Sequence, residues 1–340
     1  MTALTPRPAP KPMLSVREAL DNLLAAALPV EEFEIIPTLD ANGRVLARDE
    51  ASTIDVPSAD NTQMDGYAVR THDCASGGAT LRVAQRIAAG HVGAPLEVGT
   101  AARIFTGAMI PDGADAVVMQ EQCEVQGDHV IVRHIPQPGE WIRRTGEDIV
   151  AGSVILLAGE RLRPQDLGLA ASVGLATLPV RRPVRVGVFF TGDELTMPGE
   201  APGGQLAPGA IYNSNRFTLR GLLENLGCEI SDFGIVPDSL EATRATLREA
   251  ALHNDLIITS GGVSVGEEDH IKPAVEAEGK LSMWQIAVKP GKPLAFGHVL
   301  RDGAIAHFIG LPGNPVSSFI TFLLFVRPFI LRLQGVTGPV

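Results

Sequence analysis

Several loops of this chain carry the residue types that bind oxyanions and hard metal ions. Ser260-Gly261-Gly262-Val263-Ser264-Val265-Gly266-Glu267-Glu268-Asp269 follows the apolar run Leu256-Ile257-Ile258-Thr259. Lys289-Pro290-Gly291-Lys292-Pro293 is the second loop, and Gly310-Leu311-Pro312-Gly313-Asn314-Pro315-Val316-Ser317-Ser318 follows the apolar Ala306-His307-Phe308-Ile309. Glycine lets backbone approach a ligand closely and adopt φ > 0. The free N–H groups of a following helix then point at an anion. Thr191-Gly192-Asp193-Glu194 ends another apolar run. Asp193, Glu194 and Asp269 together form a donor set suited to Mg2+, which prefers carboxylate and phosphate oxygens. The plainer reading of each acid is a turn or helix cap.

Charge sharpens this reading. The chain has five lysines, and Lys272, Lys280, Lys289 and Lys292 fall in the same stretch of a protein of net charge −11. Such an acidic chain, with 5% aromatic residues, excludes a general nucleic-acid or anionic-membrane binder. Cys74, Cys123 and Cys228 form no C-x-x-C pair, and the eight histidines form no H-x-x-x-H pair. Sparse cysteine fits a reducing compartment, so a cytoplasmic protein is expected. Met1–Pro12, with prolines at 6, 8, 10 and 12, reads as a flexible tail rather than a signal peptide. The longest apolar stretch, around Phe319–Val326, is too short to span a membrane.

The elements that must position these loops follow from periodicity. A length of 340 residues suggests two or three domains. Ser15-Val16-Arg17-Glu18 is a capping box for a helix carrying Val16, Leu20, Leu23, Leu24 and Ala27. From Pro57 to Asp148 short β-rich runs at Tyr67–Arg70, Leu81–Ile87, Ala101–Phe105, Ala116–Gln120 and Val130–His134 are split by turns. A helix at Pro164–Val173 closes on Gly174. After Pro183 strands and helices alternate: strand Val184–Phe190, helix Ser214–Leu226, strand Cys228–Val236, helix Ser239–Leu252, strand Asp255–Thr259 and a helix near Asp269–Ala277. A hairpin at Leu281–Val288 and Leu294–Val299, strand Ile305–Ile309 and helix Val316–Leu333 complete the chain. This predicts an α/β protein with a doubly wound, mostly parallel sheet, whose ligand sits at the carboxyl ends of the strands.

Further candidates lie outside those loops. Asp238-Ser239-Leu240-Glu241 fits a second capping box, although a cap at a strand's carboxyl end can also touch ligand. In the β-rich segment Asn61–Arg70, Thr106-Gly107-Ala108 and Glu140–Asp148 are polar turns. Arg143 and Arg144 suit bidentate capture of an oxyanion, or ion pairs with neighbouring acids.

Met64-Asp65-Gly66-Tyr67-Ala68-Val69, Thr106-Gly107-Ala108, Arg143-Arg144-Thr145-Gly146-Glu147-Asp148, Thr191-Gly192-Asp193-Glu194-Leu195, Ser260–Gly266, Lys289–Pro293 and Pro312–Ser317 occur in one order from about Ser15 to Arg332. The series resembles the MoeA family, which is similar to the E domain of gephyrin. The resemblance implies a Mg2+-dependent molybdenum insertase, converting adenylylated molybdopterin and molybdate to molybdenum cofactor and AMP. It implies catalytic roles for Asp65, Thr106, Asp148, Glu194, Asp238 and Asp269, with Asp193 joining Glu194 and Asp269 as metal ligands. Arg143, Arg144, Ser260, Gly261, Gly262, Ser264, Lys289, Lys292, Pro312, Gly313, Asn314, Pro315 and Ser317 would contact substrate.

The implied organisation is a tail at 1–12, a discontinuous N-terminal helical and mixed domain at 13–56 and 149–182, an inserted β-rich domain at 57–148 and a molybdopterin-binding domain at 183–333. Residues 334–340 read as a linker stub, where family members continue into a further β domain. The resemblance also implies a homodimer with composite active sites, and exchange with other proteins of molybdenum cofactor biosynthesis. Two other readings stay open. Molybdopterin adenylyltransferases share the Ser-Gly-Gly domain but lack the segment before Asp148, and a gephyrin-like scaffold would bind without turnover.

Overall fold

A computed structural model describes residues 13–262, 270–289 and 293–340 of the chain. It divides into two compact units. The smaller comprises Asp49–Leu156 and Gly168–Ala176; the larger comprises the chain up to Arg48, Leu157–Leu167 and Thr177–Val340.

The smaller unit is built on a six-stranded sheet. Its strands are β1 (Gly66–Val69), β2 (Ala79–Ile87), β3 (Thr100–Ile104), β4 (Ala116–Met119), β5 (Cys123–Gln126) and β6 (His129–Val132), in the order β4-β1-β3-β2-β6-β5. All neighbours are antiparallel except β2 and β3. Successive residues face opposite ways, as the pleat requires. Tyr67, Val69, Ala101, Ala116 and Val118 enter one core cluster, and Ala68, Ala102, Ile104 and Val117 enter another. Gly66 is required by packing: a Cβ there would stand 2.0 Å from the Val118 carbonyl oxygen. That close approach fixes where Asp65 leaves the sheet. Outside the main sheet, Asn61–Thr62 pairs antiparallel with Ile142–Arg143.

The larger unit carries the α/β alternation. It comprises β7 (Arg185–Thr191), α1 (Ser214–Asn225), β8 (Glu229–Val236), α2 (Leu240–His253), β9 (Leu256–Ser260), α3 (Ile271–Glu278), β10 (Gly279–Gln285), β11 (Pro293–Arg301), β12 (Ala304–Leu311) and a helix α4 (Pro315–Leu333). The sheet order is β8-β7-β9-β12-β11-β10. Strands β8, β7, β9 and β12 are parallel, and the expected hairpin adds β11 and β10 antiparallel. Val186, Val188, Phe190, Leu256, Ile258, Ile309 and Leu311 pack into one cluster with Leu219, Leu223, Phe325 and Phe329 of α1 and α4. Phe189, Ile257 and Phe308 pack into the other with Leu247 of α2 and Val275 of α3. Burial on both faces gives continuous apolar runs, the mark of a parallel sheet covered by helices.

Several details depart from the sequence reading. A strand Phe33–Pro37 pairs antiparallel with Thr177–Arg181, and β5 borders the small sheet; none of these was expected as a strand. The capping box at Ser15 forms as expected, with the Glu18 N–H donating to Ser15 Oγ at 3.2 Å. The second expected box does not. Ser239, not Asp238, caps α2, accepting from Ala242 N–H at 3.3 Å. Helix α4 contains a π turn at Phe322–Val326, directly before Arg327 and Pro328. Its 19 residues are long and apolar enough to cross a bilayer, but 61% of that window is buried inside the unit, so it serves as a core helix.

Candidate functional site

Three loops of the larger unit leave the carboxyl ends of adjacent parallel strands β7, β9 and β12. Strand β7 lies between β8 and β9, with its two neighbours following it in sequence. That is the switch point at which α/β sheets open a ligand crevice.

Backbone geometry there is specific to glycine. Gly261 has φ 102°, and a Cβ on it would meet the Thr191 carbonyl oxygen at 2.7 Å. Its N–H donates to the Leu311 carbonyl at 3.1 Å, so the Ser-Gly-Gly loop is tied to the end of β12 and packed against the end of β7. Gly262 follows at φ 63°. Ser260 is 2% exposed and donates to the Pro312 carbonyl at 3.1 Å. Asn314 caps α4, accepting from Ser317 N–H at 3.0 Å. Pro312 and Ser317 are buried, whereas Gly313, Asn314 and Pro315 are exposed at the edge.

The main residue that sequence reasoning missed is Asn215. It is 9% exposed, and its Nδ2 donates to Ser260 Oγ and to the Gly313 carbonyl, each at 2.8 Å. One amide therefore ties the loop after β9 to the loop after β12. Its neighbour Asn213 caps α1 by accepting from Arg216 N–H at 3.2 Å. The signal available was the polar Asn213-Ser214-Asn215 at a helix start, which reads as capping alone.

Asp193 and Glu194 stand exposed after β7. The Glu194 carboxylate folds back over Gly192, whose φ is 142°: a Cβ on Gly192 would meet Oε2 at 2.5 Å. Asp238 is half-buried after β8. Among the described residues none of these three carboxylates has an ion-pair or hydrogen-bond partner. Lys289 is exposed after β10. Ser264, Asp269 and Lys292 lie outside the described residues, and no cluster of three metal-ligating side chains occurs among the described ones.

The remaining candidates assemble inside the smaller unit, around Thr62. Its N–H donates to the Ala108 carbonyl at 3.0 Å, its carbonyl accepts from Gly107 N–H at 2.9 Å, and it pairs with Ile142. Three turns far apart in sequence thus meet. Asp65 Oδ1 accepts from both the Thr106 N–H and the Thr106 hydroxyl at 2.8 Å. Those two bonds, and the nearby Arg103 charge, hold the Asp65 carboxyl below the usual carboxylate range.

Arg143 pairs with Asp148, which raises the guanidinium's proton affinity further. Arg144 Nη1 lies 2.6 Å from Asp60 Oδ2, and Thr145 donates to Asp60 from both N–H and hydroxyl. Of the two readings of the arginine pair, the structure adopts the ion pairs with neighbouring acids. An incoming oxyanion would have to displace those carboxylates.

A mostly parallel sheet covered by helices on both faces, with glycine-built loops at its switch point, defines a protein of the doubly wound α/β class. Residues 14–174 match the MoeA N-terminal region (domain I and II), and residues 187–332 match a probable molybdopterin binding domain. A molybdopterin molybdenumtransferase of Haemophilus influenzae is 44% identical over 328 residues, covering 95% of this chain and 78% of that protein. One from a Nostoc species is 38% identical over 333 residues, covering 95% of this chain and 75% of its own. A solved molybdopterin biosynthesis moeA protein from Pyrococcus horikoshii superposes with a TM-score of 0.83 at 32% identity, covering 96% of this chain and 81% of that one. The chain belongs to the molybdopterin molybdenumtransferase (MoeA) family.

Proposed function

We propose that this protein inserts molybdenum into molybdopterin, converting adenylylated molybdopterin and molybdate to molybdenum cofactor with release of AMP. The observation that carries this reading is the pair of tied loops at the ends of β9 and β12, beside the loop after β7 whose carboxylates fold formation leaves unspent. Asp193 and Glu194 are adjacent acids without a partner among the described residues, and a bound cation would offset their repulsion. Asp193 and Glu194 fit a hard divalent ion such as Mg2+ by donor type, and Asp269 would join them. When bound, the cation neutralises charge on the phosphoanhydride whose cleavage releases AMP.

The chain's own groups do the positioning. The Gly261 and Gly262 backbone and the cap of α4 receive the phosphates. Lys289 and Lys292 balance the charge of phosphate or molybdate. Asn215 holds Ser260 and Gly313 in register, so the two loops act on one ligand. In the smaller unit Thr106 keeps Asp65 ionised, ready to accept a hydrogen bond from substrate. Asp148 and Arg143 form a second charged pair. A homodimer with shared sites and a cytoplasmic location belong to the same reading. Three free cysteines are compatible with that location.

The test is AMP release from purified protein given adenylylated molybdopterin, Mg2+ and molybdate. Molybdate-dependent release is expected, and Asp269→Ala abolishes it. Substrate binding without release would instead make the chain a binding protein, and ATP consumption on plain molybdopterin would make it an adenylyltransferase.

A further inference from the structure

We infer that the smaller unit carries a second oxyanion site, formed by Arg86 and Arg103 around the ring of Phe105, next to Asp65 and Thr106. Both guanidinium groups lie against one ring: the Arg86 carbon is 4.3 Å from the Phe105 centroid and the Arg103 carbon 4.5 Å. Arg103 also covers the Tyr67 ring at 5.3 Å. The two arginines are direct partners in the register of β2 and β3, as are Ile87 and Ile104 one step further on.

Like charges placed side by side across neighbouring strands repel and destabilise a sheet. Proteins ordinarily relieve this with an ion-paired carboxylate; among the described residues neither arginine has one, and Asp65 acts on Arg103 only through its nearby charge. Arg103 Nη1 donates to the Gly66 carbonyl at 2.8 Å and the Ile104 carbonyl at 3.3 Å, and its Nη2 donates to Gln120 Oε1 at 2.6 Å. All three acceptors are neutral. Arg86 is exposed, and among the described residues its guanidinium has no ion-pair or hydrogen-bond partner.

The other arginines of this unit's turns contrast with this pair. Arg143 and Arg144 are both held by acids. Arg86 and Arg103 instead stand against an aromatic platform with no ion pair among the described residues. Each ring attracts the cations above it, which holds them in place without neutralising them. A tetrahedral oxyanion fits this arrangement: it would accept from the spare guanidinium N–H groups of both side chains and cancel their repulsion.

The position in the fold gives the site a use. Arg103 is anchored on Gly66, the residue after Asp65, and Phe105 precedes Thr106. An anion here would therefore sit beside the Asp65–Thr106 pair. Its identity as molybdate, or as a phosphate of the adenylylated substrate, rests on the function proposed above; the existence of the site does not.

Phenylglyoxal labelling of the full chain, mapped by peptide mass spectrometry, reads the site directly. The probes are molybdate and inorganic phosphate, with chloride at equal ionic strength as control. Arg86 should be labelled in chloride and protected several-fold by either oxyanion. Arg220, an exposed arginine paired with Glu224, should not be protected. Arg103→Gln should remove the protection of Arg86. Equal labelling of Arg86 with and without oxyanion, or protection that survives Arg103→Gln, overturns the site.

An activity arm separates this claim from the functional one. Arg86→Gln should raise the KM for molybdate or for the adenylylated substrate about tenfold. Wild-type protein that releases no AMP refutes the insertase reading while leaving the labelling result to decide the site. Active wild type with an unprotected Arg86 refutes the site alone.

Discussion

The candidate-site acids of the two units are used in opposite ways. In the smaller unit Asp65 is held by Thr106, Asp60 by Arg144 and Thr145, and Asp148 by Arg143. Hydrogen bonding from Thr145 first, then from Arg144, draws the Asp60 carboxyl down against the burial that opposes it. At the sheet edge of the larger unit Asp193, Glu194 and Asp238 have no such partner among the described residues. The first arrangement is finished by folding. The second is left with unspent charge, which is where a ligand or cation can contribute binding energy that the fold has not already used.

Removing unspent acids should therefore hurt chemistry and spare the fold. The double variant Asp193→Asn, Glu194→Gln is expected to lower AMP release about 100-fold, a barrier rise of about 2.7 kcal/mol. Its melting temperature should match wild type or rise, since two exposed like charges are removed. A clear drop in melting temperature with activity intact would make these acids structural and dissolve the contrast.

Asn215 should behave in the reverse manner, because its bonds are already made within the protein. Asn215→Leu leaves Ser260 Oγ and the Gly313 carbonyl short of a donor, at a cost of about 1–3 kcal/mol in denaturant unfolding. Activity should fall with it as the two loops lose their common anchor. Unchanged unfolding would show that water replaces the amide.

The smallest effect lies at the opposite end of the sheet, near the start of β12. His307 pairs across strands with His298 and packs between Phe296 and Phe329, at centroid distances of 6.3 and 5.1 Å. Burial first, then the His298 charge, pushes His307 down to about 4. The folded state binds the proton more weakly than the unfolded chain, so no stability is lost above about pH 6.5. Stability should decline as pH falls from there towards about 4. His307→Phe should flatten that decline while leaving the neutral-pH value within about 1 kcal/mol. An unchanged acid limb would assign the decline to the carboxylates instead.

The sequence made the larger unit legible because its signals are local. Runs such as Leu256-Ile257-Ile258-Thr259 are apolar throughout, since alternate residues feed two different core faces. Gly227 and Ser239 mark helix ends within a few residues of the structure's own. What remained hidden depends on distance along the chain. Asn215 acts on residues 45 and 98 positions away. The strand Phe33–Pro37 is mostly exposed, so its partner Thr177–Arg181 leaves little pattern in it. Asp238 was read as a cap because Asp and Ser are both good caps, and choosing Ser239 takes one residue of backbone geometry. Asp65 and Thr106 are 41 residues apart, and only their matching motif order connected them to one site.

The π turn in α4 has a consequence for how this helix could have arisen. Pro328 has no N–H to donate, so an uninterrupted α-helix would leave a carbonyl one turn earlier without its bond. Widening the turn at Phe322–Val326 absorbs one extra residue and rotates everything beyond it. Phe325 and Phe329 both remain buried despite that rotation, while Leu323 faces outward. The feature is therefore what a single-codon insertion would leave behind after its neighbours had repacked. Within this helix, the exposed Leu323 is the position where losing one residue should be tolerated best.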